Sequence, residues 1–212
     1  MAEELRTSSN IRPSAITAER PLLLLVTGAA GAGKTTFYEN KLRESFPILL
    51  KSSPSPLEQG AMERQRKELL NSQKSFVFQS SVLDMGLLKE ARSHGFEIKA
   101  IFVGTEHPDL NIARILSRVS RGGLFGPIAQ VSEEFEKGLH DLPAMKSAVD
   151  ELFLFDNTAE GRSPRVIAQF VSGKIVKLAR SARSIPGWAQ RSFDKEFAAL
   201  RAQKRLQPER IR

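Results

Sequence analysis

Apolar positions in this chain fall into short unbroken runs separated by longer segments with helical spacing. Leu22 to Thr27 is apolar without alternation, which predicts a central parallel strand covered on both faces. Lys34 to Phe46 predicts a helix stopped by Pro47, and Ile48 to Leu50 a short second strand. The Ser/Pro cluster at 52–56 breaks the chain before a helically spaced segment, Leu57 to Leu70. Ser75 to Gln79 predicts a third strand. Asp84 then stands as the N-cap of a helix to Ser93, with His94-Gly95 as its stop. Ile98 to Val103 predicts a fourth strand, Pro108 to Ser120 a helix, and residues 121–127 a break. Helical segments follow over 128–149, then a fifth strand, Leu152 to Phe155, and an amphipathic helix over Val166 to Arg180. Beyond Pro186-Gly187, residues 193–206 predict a charged, partly docked helix.

Strands alternating with helices imply parallel βαβ units with right-handed crossovers, so the expected fold class is α/β. The expected organisation is a loose polar leader over residues 1–20, one domain over 21–182 and a basic C-terminal extension over 183–212. A chain of 212 residues can bury a sizeable core in one domain.

Charge changes this picture at one end only. The net charge is +8, and eleven of the 32 Lys/Arg but only three of the 24 Asp/Glu lie from Lys174 onward. The domain before that point is neutral overall. The basic end suits a solvated arm first, then a protein partner. Nucleic acid is the least expected, because no aromatic-interleaved basic patch accompanies it. The absence of cysteine excludes disulfides and thiolate chemistry and agrees with a reducing compartment. The apolar runs are too short to span a bilayer, and residues 1–20 lack a signal-peptide core, so a cytoplasmic, membrane-free protein is expected. His94, His107 and His140 have no metal-ligand spacing.

The chemistry is carried by the stretch after the first strand. Gly28-Ala29-Ala30-Gly31-Ala32-Gly33-Lys34-Thr35 satisfies G-x-x-x-x-G-K-[ST] between a buried strand and a helix start, where the motif has its mechanism. Small residues let successive N–H groups turn inward as an anion nest, and the helix adds unsatisfied donors and its positive dipole end. Lys34 is placed to reach β- and γ-phosphates, the Thr35 hydroxyl to ligate Mg²⁺, and Thr36 to extend the binding set. A glycine-rich turn without a ligand would not need adjacent Lys and Thr. The expected cofactors are therefore ATP or GTP with Mg²⁺.

Four stretches together resemble the zeta-toxin family of P-loop kinases and its small bacterial relatives. They are the loop itself, SFVFQSSV at 75–82, GFEIKAIFVGTEHPDLNIARILSRVSRGG at 95–123 and FLFDNT at 153–158. The resemblance runs from about Leu22 to Lys174. It implies an adenylate-kinase-like P-loop NTPase fold with a five-stranded parallel sheet and a helical C-terminal extension. It also implies transfer of the γ-phosphate to a small-molecule hydroxyl, in some members that of a UDP-activated amino sugar. By this likeness Arg118 neutralises the transferring phosphate, Arg114 and Arg121 flank it, and Asn157 lies near the adenine. Arg114, Arg118 and Arg121 are spaced four and three residues apart, which puts them on one helix face.

The chain departs from that family at three places. Lys51 and Ser52 stand where relatives carry an acidic residue after the second strand. Gln79 replaces the glutamate of the third strand, and Glu133 and Glu134 occupy the place of a further arginine. An amide can hydrogen-bond a hydroxyl but cannot take its proton. Asp84 is the available substitute base, although N-capping already accounts for it. Two readings follow: a small-molecule kinase using Lys34, Thr35, Arg118, Arg121, Gln79 and Asp84, with an antitoxin as a candidate protein partner, or a degenerate nucleotide-binding module that acts through its basic tail.

Overall fold

The computed structural model describes residues 20–52, 55–122, 128–179 and 185–206. Nearly all of the expected leader, the middle of the 52–56 breaker, most of the 121–127 break and the expected boundary after residue 182 lie outside these residues.

Five parallel strands form the sheet that the sequence predicts. β1 (Leu22–Thr27) sits between β3 (Phe76–Ser80) and β4 (Glu97–Gly104), with β2 (Leu49–Lys51) outside β3 and β5 (Glu151–Asp156) outside β4. β1 is buried along its whole length. Leu23 and Leu25 face one apolar layer, and Leu22, Leu24 and Val26 face the other. That two-sided cover is why its sequence shows no polar alternation.

The sheet has seven strands rather than five. Residues 166–180, expected as a helix, form the hairpin β6 (Arg165–Val171) and β7 (Lys174–Leu178), which pairs antiparallel to β5 and continues the sheet. Its segments are rich in β-branched residues, and Ser172 and Gly173 both take positive φ, 47° and 73°. Such a two-residue turn matches the twist of paired strands. Ile167, Ala168 and Phe170 are buried in the core, so strand pairing outweighs helical periodicity here.

Helices cover both faces. α1 (Lys34–Lys41) lies on one side, its Phe37 and Tyr38 packed with Val26, Val103 and Phe155. It is shorter than expected, although Leu42 and Phe46 beyond it stay buried. The opposite layer contains residues of α2 (Pro56–Asn71), α3 (Met85–Ser93), α5 (Ile128–Ala148) and α6 (Gly187–Leu206). α4 (Pro108–Ser120) packs beside α5.

The C-terminal helix belongs to this core as far as Phe197. Trp188, Ala189, Phe193 and Phe197 are all buried, and α6 bends at Phe193, whose backbone is not helical. Two polar contacts fix its position. Both carboxylate oxygens of Glu106 accept from the Gly187 N–H at 3.1 Å, and Lys146 of α5 pairs with Glu196 at 2.6 Å. Among the described residues no helix is long and apolar enough to cross a membrane.

Candidate phosphate-binding site

Where β1 ends, residues 28–33 fold back toward the start of α1. Gly33 is the N-cap of α1 with φ of +99°, and a Cβ there would lie 2.4 Å from the Asn157 side-chain nitrogen. Gly31, with φ of +78°, leaves the same clearance from the Asn111 carbonyl oxygen. No L side chain fits either position without strain, which explains the small residues of the motif. Asn157, directly after β5, braces the loop by donating to the Ala32 carbonyl at 2.8 Å.

Above the loop a cavity of about 450 Å³ opens at the C-terminal ends of the parallel strands, the expected ligand position in an open α/β sheet. Its floor is Ala30, Gly31, Gly33, Lys34, Thr35 and Thr36. One wall carries Ser52, Gln79, Ser80 and Ser81 from the ends of β2 and β3. The other carries Arg114, Ile115 and Arg118 of α4, together with Asn157.

Lys34 is almost fully buried. Its ammonium donates to the Gly28 and Ala29 carbonyls at 2.5 and 3.0 Å and to Ser81 Oγ at 3.2 Å. Burial lowers its pKa from 10.5 to about 8, and the nearby Glu134 carboxylate pulls the other way. The charge of the ammonium is lost as pH rises through about 8. The affinity for an anion held by that ammonium is therefore expected to fall about tenfold between pH 7 and pH 9, as the competent fraction falls. The stability of the ligand-free protein moves the opposite way, rising between about 8 and 10.5, where the unfolded chain binds more protons. Calorimetric titrations and thermal melts across that window check both signs.

The other expected site residues separate into two groups. Gln79 reaches the loop, its side-chain amide 3.2 Å from Thr35 Oγ1. Arg114 and Arg118 line the cavity. Arg114 donates to the Asn157 carbonyl at 2.9 Å, while its other terminal nitrogen is buried with no hydrogen-bond partner among the described residues. Arg121 instead caps the C-terminus of α4, exposed and outside the cavity lining. Asp84 is the N-cap of α3: it accepts from Leu87 N–H at 2.9 Å and from Arg66 at 3.3 Å, and it too lies outside the lining. Asp156 accepts from Arg165 Nε and Nη2 at 2.9 and 2.8 Å and from Thr158 N–H at 3.2 Å, which holds the turn that presents Asn157.

Ser80 and Ser81, at and just past the end of β3, belong to the stretch SFVFQSSV that carries the family resemblance, although no role was assigned to them. Ile115 was not singled out, and its only local signal is its position one helical step from Arg118.

The donor set suits a nucleotide with a weakly held cation. Among the described residues no group of three or more His, Cys, Asp or Glu is placed to hold a metal. Thr35 Oγ1 and the Gln79 amide form a neutral oxygen-bearing pair at the loop's end. Mg²⁺ commonly binds this way, with few protein ligands and the rest from phosphates and water.

No protein-family model matches the chain, and no curated protein matches it. Solved structures do. A chain of the AvrRxo1-ORF1:AvrRxo1-ORF2 complex with ATP aligns at a TM-score of 0.56 and 13% identity, over 84% of this chain and 63% of that one. The same complex with sulphate ions gives 0.56 and 13%, over 76% and 62%. A chain of the PezAT chromosomal toxin-antitoxin system of Streptococcus pneumoniae gives 0.53 and 15%, over 96% and 91%. The chain has a P-loop fold. It spans less than two thirds of the AvrRxo1 chain but nearly the whole of the PezAT chain. This P-loop fold is the one that the resemblance to zeta-toxin kinases implies, enlarged by the β6–β7 hairpin.

Proposed function

We propose that the protein is an ATP- or GTP-dependent kinase of the zeta-toxin-like kind, transferring a γ-phosphate to the hydroxyl of a small molecule. The observation that carries this reading is the convergence of Lys34, Thr35, Arg114 and Arg118 on one cavity. A nest of amides with a buried ammonium suits a polyphosphate, and two guanidinium groups on the opposite wall suit charge developing during transfer. The AvrRxo1 complex, one of the structural neighbours, was crystallised with ATP, which agrees with the nucleotide assigned here.

In this reading the loop amides and Lys34 hold the β- and γ-phosphates, and Arg118 neutralises the phosphoryl group as it passes to the acceptor. Mg²⁺, when bound, supplies further neutralisation beside Thr35. Ser52 and Gln79 face the acceptor side, where Gln79 orients a hydroxyl without removing its proton. Phosphoryl transfer has a loose transition state and depends mainly on positioning and charge. Lacking a carboxylate base slows such a reaction by roughly 10²–10⁴-fold without preventing it. A UDP-activated amino sugar is the first acceptor to try. One neighbour belongs to a toxin-antitoxin system and another to a two-component complex, which makes an antitoxin-like protein the partner of choice.

One observation favours a second reading. The cavity lining contains no Asp or Glu, as expected of a nucleotide-holding regulatory module without chemistry. Transfer of label from γ-labelled ATP to a panel of small acceptors separates the two. Arg118→Ala is expected to lower that transfer about 10²–10³-fold, with nucleotide affinity changed less than about threefold. Tight binding with no transfer to any acceptor supports the module instead.

A further inference from the structure

The third residue of the loop is already engaged. Ala30 N–H donates to the Glu134 carboxylate at 2.9 Å, across more than a hundred residues of sequence and from a different helix, α5. An amide of the loop, at a residue that lines the cavity, thus holds an anion supplied by the protein itself, from a side chain just outside that lining.

The position of that carboxylate along the polyphosphate track follows from Lys34. A P-loop lysine reaches the β- and γ-phosphates. Here its ammonium lies against the Gly28 and Ala29 carbonyls, beside Ala30 and at the opposite end of the loop from the α1 N-terminus. The amides at the start of α1 and the Thr35 hydroxyl serve the inner part of the chain of phosphates. The Ala30 end is the terminal-phosphate end, and Glu134 holds the amide there from the edge of the cavity.

We infer that Glu134 is a specificity-determining residue that competes with the terminal phosphate of a nucleoside triphosphate, so that this site discriminates against ATP relative to ADP. A diphosphate fits with Glu134 in place. A triphosphate must displace the carboxylate from Ala30 and overcome its charge. Glu134 is half-buried on the helix α5. Its neighbour Glu133 is exposed and makes no such contact.

The inference rests on the nucleotide-binding reading above, and binding measurements keep the two apart. Calorimetry with Mg²⁺ at pH 7 compares ATP and ADP on the unaltered chain, on Glu134→Gln and on Glu133→Gln. Glu134→Gln is expected to tighten ATP about tenfold and ADP less than about twofold, the scale of a charge-assisted hydrogen bond exchanged for a neutral one. Glu133→Gln should leave the ratio unchanged. Glu134→Arg, which restores the side chain of the resembling family at this place, should shift the ratio in the same direction and guards against an idiosyncratic glutamine effect. An unchanged ATP/ADP ratio in folded Glu134→Gln that still binds both nucleotides overturns the inference and leaves the kinase reading standing. So does loss of transfer in Glu134→Gln with no change of ratio, because the carboxylate is then a base. No binding of either nucleotide by any variant overturns both.

Discussion

Lys34→Ala is expected to lower phosphoryl transfer by about a thousandfold or more while leaving the protein as stable as before. The loss combines the charge at the terminal phosphates with a preorganised donor, each of which is typically worth about 10²–10³ in rate. Stability should hold because the ammonium sits buried, at a cost expressed in its lowered pKa, and the loop's shape rests on other contacts. Its carbonyl partners, at Gly28 and Ala29, can be reached by water through the space that the truncated side chain leaves, while Asn157 still braces Ala32. Lys34→Met, which keeps the aliphatic stem, should lose transfer to the same extent. Transfer assays beside thermal melts decide it. A variant that loses activity together with its melting transition would show Lys34 to be a structural group, and one that retains activity would remove it from the mechanism.

Truncating Trp188 has the largest expected effect on stability, a loss of about 3–5 kcal/mol for Trp188→Ala. The indole is fully buried, 5.4 Å from the Phe102 ring and packed on Gly104 at the end of β4, the strand that leads into α4. For a chain of this size such a loss lowers the melting temperature by roughly 10 °C. Trp188→Phe should be milder, since the indole N–H has no hydrogen-bond partner among the described contacts and its removal costs no bond. A Trp188→Ala protein melting at the wild-type temperature would mean that α6 is not part of the cooperative unit.

The two outcomes reflect what local sequence can carry. Strand, loop and helix from Leu22 to Lys41 were legible because motif, apolar run and dipole end lie within about twenty residues and reinforce one another. The Asp84 cap was equally legible, being a contact between residues three apart. The hairpin at 165–178 was not, because Val, Ile and Phe at these spacings satisfy a helix and a strand alike. The decision comes from pairing with β5, which is a tertiary fact. Arg121 failed to join Arg114 and Arg118 for a related reason. Sharing a helix face does not say where the helix ends relative to a cavity, and Arg121 is already its cap. Glu134 was visible as a departure in type, but its hydrogen bond to Ala30 depends on how α5 crosses the sheet. The partly docked helix expected beyond Pro186-Gly187 is there, starting at Gly187, and its apolar residues Trp188, Phe193 and Phe197 are core.

Everything functional proposed here depends on the loop at 28–36 gripping a polyphosphate. Calorimetric titration of Mg²⁺-ATP, and separately Mg²⁺-GTP, into the folded protein at pH 7 measures this directly. A one-to-one binding isotherm for at least one nucleotide, lost or weakened at least about tenfold in Lys34→Ala, is the predicted result. Absence of binding by both, in protein that melts cooperatively, would contradict it.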